Sequence, residues 1–168
     1  MIMRFICFAL VALLTTSAYA DSNGTLGTTT VVSSESVTLT GGPFSHGAGA
    51  GSADNSTAVA NFVGGFTANE ILIEGTLTPL IGGTFGSEAD IIVTDPAGGN
   101  LTWQNPLGGG FTTPLTYSSS QPLPAPISAA GAWNFEFIES FSDGAGADSE
   151  SSNVTVTLQD VLLSLIHI

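Results

Sequence analysis

Fixed positive charge is almost absent from this chain. Among its 168 residues only Arg4 is basic, against 14 carboxylates, for a formal net charge of −13. Nucleic acid and anionic membrane surfaces are bound by basic clusters that neutralise phosphates, so neither is a partner for this sequence. Nearly every carboxylate must be solvated, hydrogen-bonded, protonated or bound to a cation, because only Arg4, a histidine or the α-amino group could pair with it. Cysteine is represented by Cys7 alone, so no intramolecular disulfide is available. His46 and His167 are the only histidines, too few to build a His/Cys zinc site. Aside from Tyr19, Trp and Tyr occur only at Trp103, Tyr117 and Trp133, which leaves an outer-membrane barrel without its interfacial girdles. No window carries a sustained amphipathic helix, since glycine and β-branched residues interrupt each stretch.

The N-terminus reads as an export signal. Arg4 supplies a positive n-region, residues 5–14 form an apolar run, and Ala18-Tyr19-Ala20 is a small-x-small cleavage pattern before Asp21. The run is too short to cross a bilayer, which takes about 20 apolar residues. Removing residues 1–20 also removes Arg4 and Cys7, so the expected mature chain is free of lysine, arginine and cysteine. What remains is long enough for one hydrophobic core, and a single domain over 21–160 is expected.

Disorder is the first alternative for a chain with 21 glycines, but its 43% hydrophobic content speaks against it. The apolar residues fall in short runs bounded by Gly, Pro, Asn, Asp or Ser. Strands are expected at 28–33, 36–40, 57–63, 70–78, 89–94, 101–103, 111–117, 132–139 and 154–159. Trp133, Phe135 and Phe137 alternate with Asn134 and Glu136, and Val154, Val156 and Leu158 alternate with Thr155 and Thr157. Those six apolar side chains are the predicted core. Asp95-Pro96-Ala97-Gly98-Gly99-Asn100 is a turn, and Gln121–Pro126 places three prolines at alternate positions, an extended segment outside any central strand. The expected fold is all-β: an antiparallel, jelly-roll-like β-sandwich of about eight or nine strands.

Three segments resemble the jelly-roll P domain of subtilisin-like proprotein convertases and its bacterial secreted relatives. They are Glu70–Thr78, the strand and turn Ala89–Gly99, and Gly131–Glu139, followed by an acidic glycine-rich loop and the closing strand Asn153–Leu158. The resemblance spans roughly residues 57–160. It departs from the family in lacking a tryptophan in Ser149–Asn153, and no protease domain precedes it. It implies a β-sandwich with Ca²⁺ binding in the loops and no catalysis.

Metal binding is the first site hypothesis, because hard cations take carboxylate and backbone oxygens from Gly/Asp loops. The candidate ligands are Glu139, Asp143, Asp148 and Glu150, with Asp90 and Asp95 next. The spacing is not that of an EF-hand, and a solvated loop explains the same residues. Carbohydrate binding is the rival: Trp103 followed by Gln104 and Asn105, with Tyr117, would form a platform if exposed. Hydrolysis is poorly supported. Ser45–His46 are adjacent without a G-x-S-x-G elbow, and Glu136 and Glu139 cannot be placed in a cleft for two-carboxylate chemistry.

These readings lead to a secreted, non-enzymatic module, structural or adhesive at the cell surface, with Ca²⁺ as the one expected cofactor and an extracellular glycan or protein as partner. A carbohydrate-binding accessory domain is the alternative and a glycan hydrolase a distant third. Residues 161–168 are expected to lie outside the domain, since Ser164–Ile168 reads as translated sequencing-adapter sequence.

Overall fold

A computed structural model of the chain describes residues 16–20, 25–80, 85–141 and 146–167. Among these, ten strands account for the architecture: β1 (Thr16–Ala20), β2 (Thr25–Thr38), β3 (Phe44–Ala48), β4 (Thr57–Phe62), β5 (Thr67–Pro79), β6 (Ala89–Thr94), β7 (Asn100–Trp103), β8 (Leu115–Ser128), β9 (Gly131–Glu139) and β10 (Ser149–His167). The only helical element among them is a 3-10 turn at Gly86–Glu88.

Two sheets face each other. One runs β1-β2-β10-β5-β8 and the other β4-β9-β6-β7. β3 stitches them, pairing with the start of β10 and then, in parallel, with the end of β9 at Gly47↔Ile138 and Ala48↔Glu139. That parallel contact is the one departure from the antiparallel arrangement expected. From β4 onward the chain crosses between the sheets at every connection except the β6–β7 hairpin, so inward-facing side chains from both meet in one core. The fold is an all-β sandwich.

The period-two strands behave as their patterns require. Trp133, Phe135 and Phe137 are buried, as are Val154, Val156 and Leu158. Burying each aliphatic or Phe side chain contributes about 1.5–3 kcal/mol before entropy is counted. Phe137 stacks on Phe44 with centroids 4.6 Å apart, and His46 meets its edge at 5.3 Å.

Several boundaries differ from expectation. The first two expected strands merge into β2, β3 had no pattern to reveal it, and the strand expected at 111–117 begins at Leu115 and runs to Ser128 through all three prolines. The prolines are tolerated because β8 pairs only with β5 and is an edge strand. Ser149–Ser152, read as loop, opens β10, and residues 161–167, expected outside the domain, continue β10 along β2. Thr16–Ala20, within the expected export signal, pairs with β2 alone.

Candidate functional site

The β6–β7 turn is built by one carboxylate. Asp95 Oδ1 accepts the N–H groups of Ala97 (2.7 Å) and Gly99 (3.1 Å), while the Gly98 N–H donates to the Asp95 carbonyl at 3.0 Å. Gly98 sits at φ +90°, which suits glycine. The Thr94 hydroxyl donates to Asn100 Oδ1 at 2.7 Å and closes the hairpin end.

Across from this turn, β8 leaves its ladder. Ala68 pairs with Ile127 and Glu70 with Pro122, so the single residue Asn69 of β5 stands opposite Leu123, Pro124, Ala125 and Pro126. Prolines lack the N–H that a ladder needs, and four residues facing one must arch away from the sheet. Asn69 fills the break: its amide donates to the Val161 carbonyl (2.8 Å) and accepts from the Val161 N–H (2.9 Å). Val161 follows a register shift in β10, so one side chain serves irregularities in two neighbouring strands.

The arch and the turn enclose a groove of about 230 Å³. Trp133 and Val93 form its floor, half-buried Leu101, Leu123 and Ile127 its apolar sides, and Asp95 with Asn100 its polar lip. The Trp133 indole N–H is satisfied internally by the Ala129 carbonyl at 2.9 Å. At the turn, Gly131 (φ +134°) lies so close to Pro96 that an added Cβ would come within 2.6 Å of its ring.

The expected sugar platform does not form. Trp103 (0% exposed) and Tyr117 (3%) pack on each other inside the core at 5.6 Å. Trp103 Nε1–H donates to the Ser119 carbonyl at 3.1 Å. The alternation of β7 turns Trp103 inward, where a large apolar ring gains most. Gln104 is exposed, whereas Asn105 is buried, its Oδ1 accepting the Leu107 N–H at 3.0 Å. The four residues therefore present no common face.

The acidic residues separate. Glu139 and Asp148 come together, both buried, with Ser149 Oγ donating to Glu139 Oε1 at 3.3 Å. Glu139 Oε2 is buried without a hydrogen-bond partner. Two ionised carboxylates cannot hydrogen-bond each other, and a proton on Glu139 supplies the missing donor toward Asp148. Burial, followed by the Asp148 charge and contact and then Glu88, pushes the Glu139 carboxyl up to about 8, against a smaller opposing contribution from Ser149. Glu150 alternates to the opposite face of β10 from buried Ser149 and Ser151. Asp90 is buried beside Asn105, whose N–H it accepts at 3.3 Å, and burial raises its carboxyl. Asp95 lies just beyond the far end of the β6–β9 ladder from Glu139, about 20 Å along the strand. Asp143 lies outside the described residues. Among the described residues no three Asp, Glu, His or Cys side chains converge as a metal site.

One constellation had no sequence signal at all. His46 Nε2 accepts from Ser151 Oγ at 2.8 Å, not from neighbouring Ser45, and Ser151 in turn accepts from the Tyr117 hydroxyl at 3.1 Å. Nδ1–H donates to the Ile138 carbonyl at 3.1 Å, which assigns the neutral tautomer. Desolvation lowers the His46 pKa to about 4. His46 and Ser151 are both 0% exposed, so this serine–histidine pair is a buried structural network out of reach of a substrate.

No known protein family and no curated protein matches the chain by sequence. Among solved structures it is similar to dimeric latent PorU from Porphyromonas gingivalis, at 10% identity and a TM-score of 0.45, covering 76% of this chain and 13% of that one. A CBM4 structure is 15% identical with a TM-score of 0.33, covering 90% and 91%. The enzymatically active domain of tailspike protein 4 from bacteriophage CBA120 is 10% identical with a TM-score of 0.27, covering 94% and 18%. At these values the likenesses carry no functional argument.

Proposed function

We propose that this chain is an exported, non-catalytic β-sandwich module that acts as a structural or adhesive unit outside the cell or at its surface, meeting its partner through the groove over Trp133. The observation that carries this reading is the groove itself, a concave apolar surface with convergent polar groups at its lip. Export rests on the n-region, apolar run and cleavage pattern of residues 1–20. A non-catalytic role is supported by the burial of both constellations with catalytic chemistry, Ser151–His46 and Glu139–Asp148.

The relation to P domains belongs to the same reading. Its segments fall in β5, in β6 with its turn, in β9 and in β10, the strands that form the centre of both sheets. Calcium enters at Glu139 and Asp148, displacing the proton held there; the meeting of two buried carboxylates is what supports it. Carbohydrate binding, deprived of its Trp103–Tyr117 platform, would have to use the groove.

The test is an Ala125→Trp variant, which adds bulk at an exposed arch position without touching the core. Immobilised wild-type and variant proteins are compared on panels of extracellular proteins and glycans. Loss of wild-type binding in the variant is the expected result. Binding that ignores the substitution would place the contact surface elsewhere and refute the groove.

A further inference from the structure

We infer that the groove receives a basic side chain, arginine or lysine, of a protein partner. This rests on the reading of the groove as the contact surface and names its ligand chemistry. A trough with apolar sides and a single carboxylate at one end matches an aliphatic stem carrying a cationic head. The half-buried Leu101, Leu123 and Ile127 line the stem's path, and Pro124 and Pro126 form the outer wall. Asp95 at the lip is held by two backbone N–H groups through Oδ1, so its charge is positioned before any ligand arrives and little ordering is needed on binding.

The charge of the whole molecule selects in the same direction. With a formal net charge of −13 the chain repels anionic ligands and draws cations toward its surface. A neutral sugar ring would need several directed hydrogen bonds, whereas among the described residues the polar side chains lining this groove are Asp95, Asn100 and the indole of Trp133. Asn100 Oδ1 already accepts from Thr94, and the Trp133 N–H is held by the Ala129 carbonyl. A volume of about 230 Å³ accommodates one long side chain and no extended macromolecular segment.

The experiment follows the Trp133 indole N–H signal by NMR while three probes are titrated. These are the blocked tripeptide Gly-Arg-Gly, the same peptide with neutral citrulline for arginine, and methyl α-glucoside. The arginine peptide is expected to shift Trp133 and to bind about tenfold tighter than the citrulline peptide, the size of one charge-assisted contact. Asp95→Asn keeps the Oδ1 acceptor that the turn requires while removing the charge, and it should erase the preference. Asp54→Asn, an exposed carboxylate elsewhere, should leave the preference intact. Equal binding of both peptides, or a preference that survives Asp95→Asn, overturns the inference but leaves the groove as contact surface. A Trp133 response to the glucoside alone replaces the basic side chain with a neutral sugar. Silence toward all three probes, with partner binding still abolished by Ala125→Trp, overturns the basic side chain while keeping the groove.

Discussion

Glu139 is where the shortage of bases is felt most sharply. It holds its proton to about pH 8 in the folded chain, whereas its ordinary value is 4.5. Between these limits the unfolded chain binds fewer protons than the folded one, so this residue makes stability fall as pH rises from about 4.5 to 8. His46 acts in the opposite direction. Its folded pKa of about 4 lies below the ordinary 6.5, so its contribution is present above pH 6.5 and lost as pH falls toward 4. Urea midpoints are therefore expected to decline from pH 6.5 to pH 8, with Glu139→Gln flattening that limb. A variant that declines as steeply as the wild type would show that Glu139 is not the titrating group. Calcium competes with the same proton, so at matched ionic strength it should raise the midpoint more at pH 8 than at pH 5. The sequence groups Glu139 and Asp148 with Asp143 and Glu150 in one acidic cluster; that Glu150 alternates to the face opposite buried Ser149 and Ser151 depends on the phase of β10, which no pattern in Ser149–Ser152 announces.

Strand periodicity was legible wherever one face is wholly apolar. β9 and the centre of β10 alternate cleanly, and all six of their predicted core residues are buried. β6 was placed at its observed bounds. β3 was missed because Phe44–Ala48 shows no alternation, its burial being imposed by neighbours in both sheets. The proline arch of β8 was read correctly as extended and non-central, but its lift from the sheet follows from pairing register, with Asn69 alone facing four residues. Asn69→Ala is expected to cost about 1–3 kcal/mol by leaving both Val161 backbone groups without their partner. Slowed-exchange protection measured by hydrogen–deuterium exchange should drop at Val161, with protection at Val156 in the centre of β10 unchanged. Equal protection at Val161 in wild type and variant would mean water replaces the amide without cost.

The molecule as a whole is a polyanion holding itself together by core burial. Self-repulsion favours expansion, and added salt relieves it as the Debye length drops from about 8 Å at physiological ionic strength to about 3 Å at 1 M. Tm is therefore expected to rise between 0.02 and 1 M sodium chloride, and the rise should shrink at pH 4, where more carboxylates are protonated. A Tm independent of salt at neutral pH would mean that the carboxylates are too well solvated to repel one another. Composition alone left a single cysteine and so no intramolecular disulfide, and period-two alternation pointed to an all-β sandwich with its central aromatic strand. The groove, the His46–Ser151–Tyr117 network and the burial of Trp103 and Tyr117 came from pairings between residues far apart in the chain. Period-two patterning reports which face of a strand is apolar; it carries no information about which strand lies beside it or in what register, and those two facts place every side chain of the candidate site.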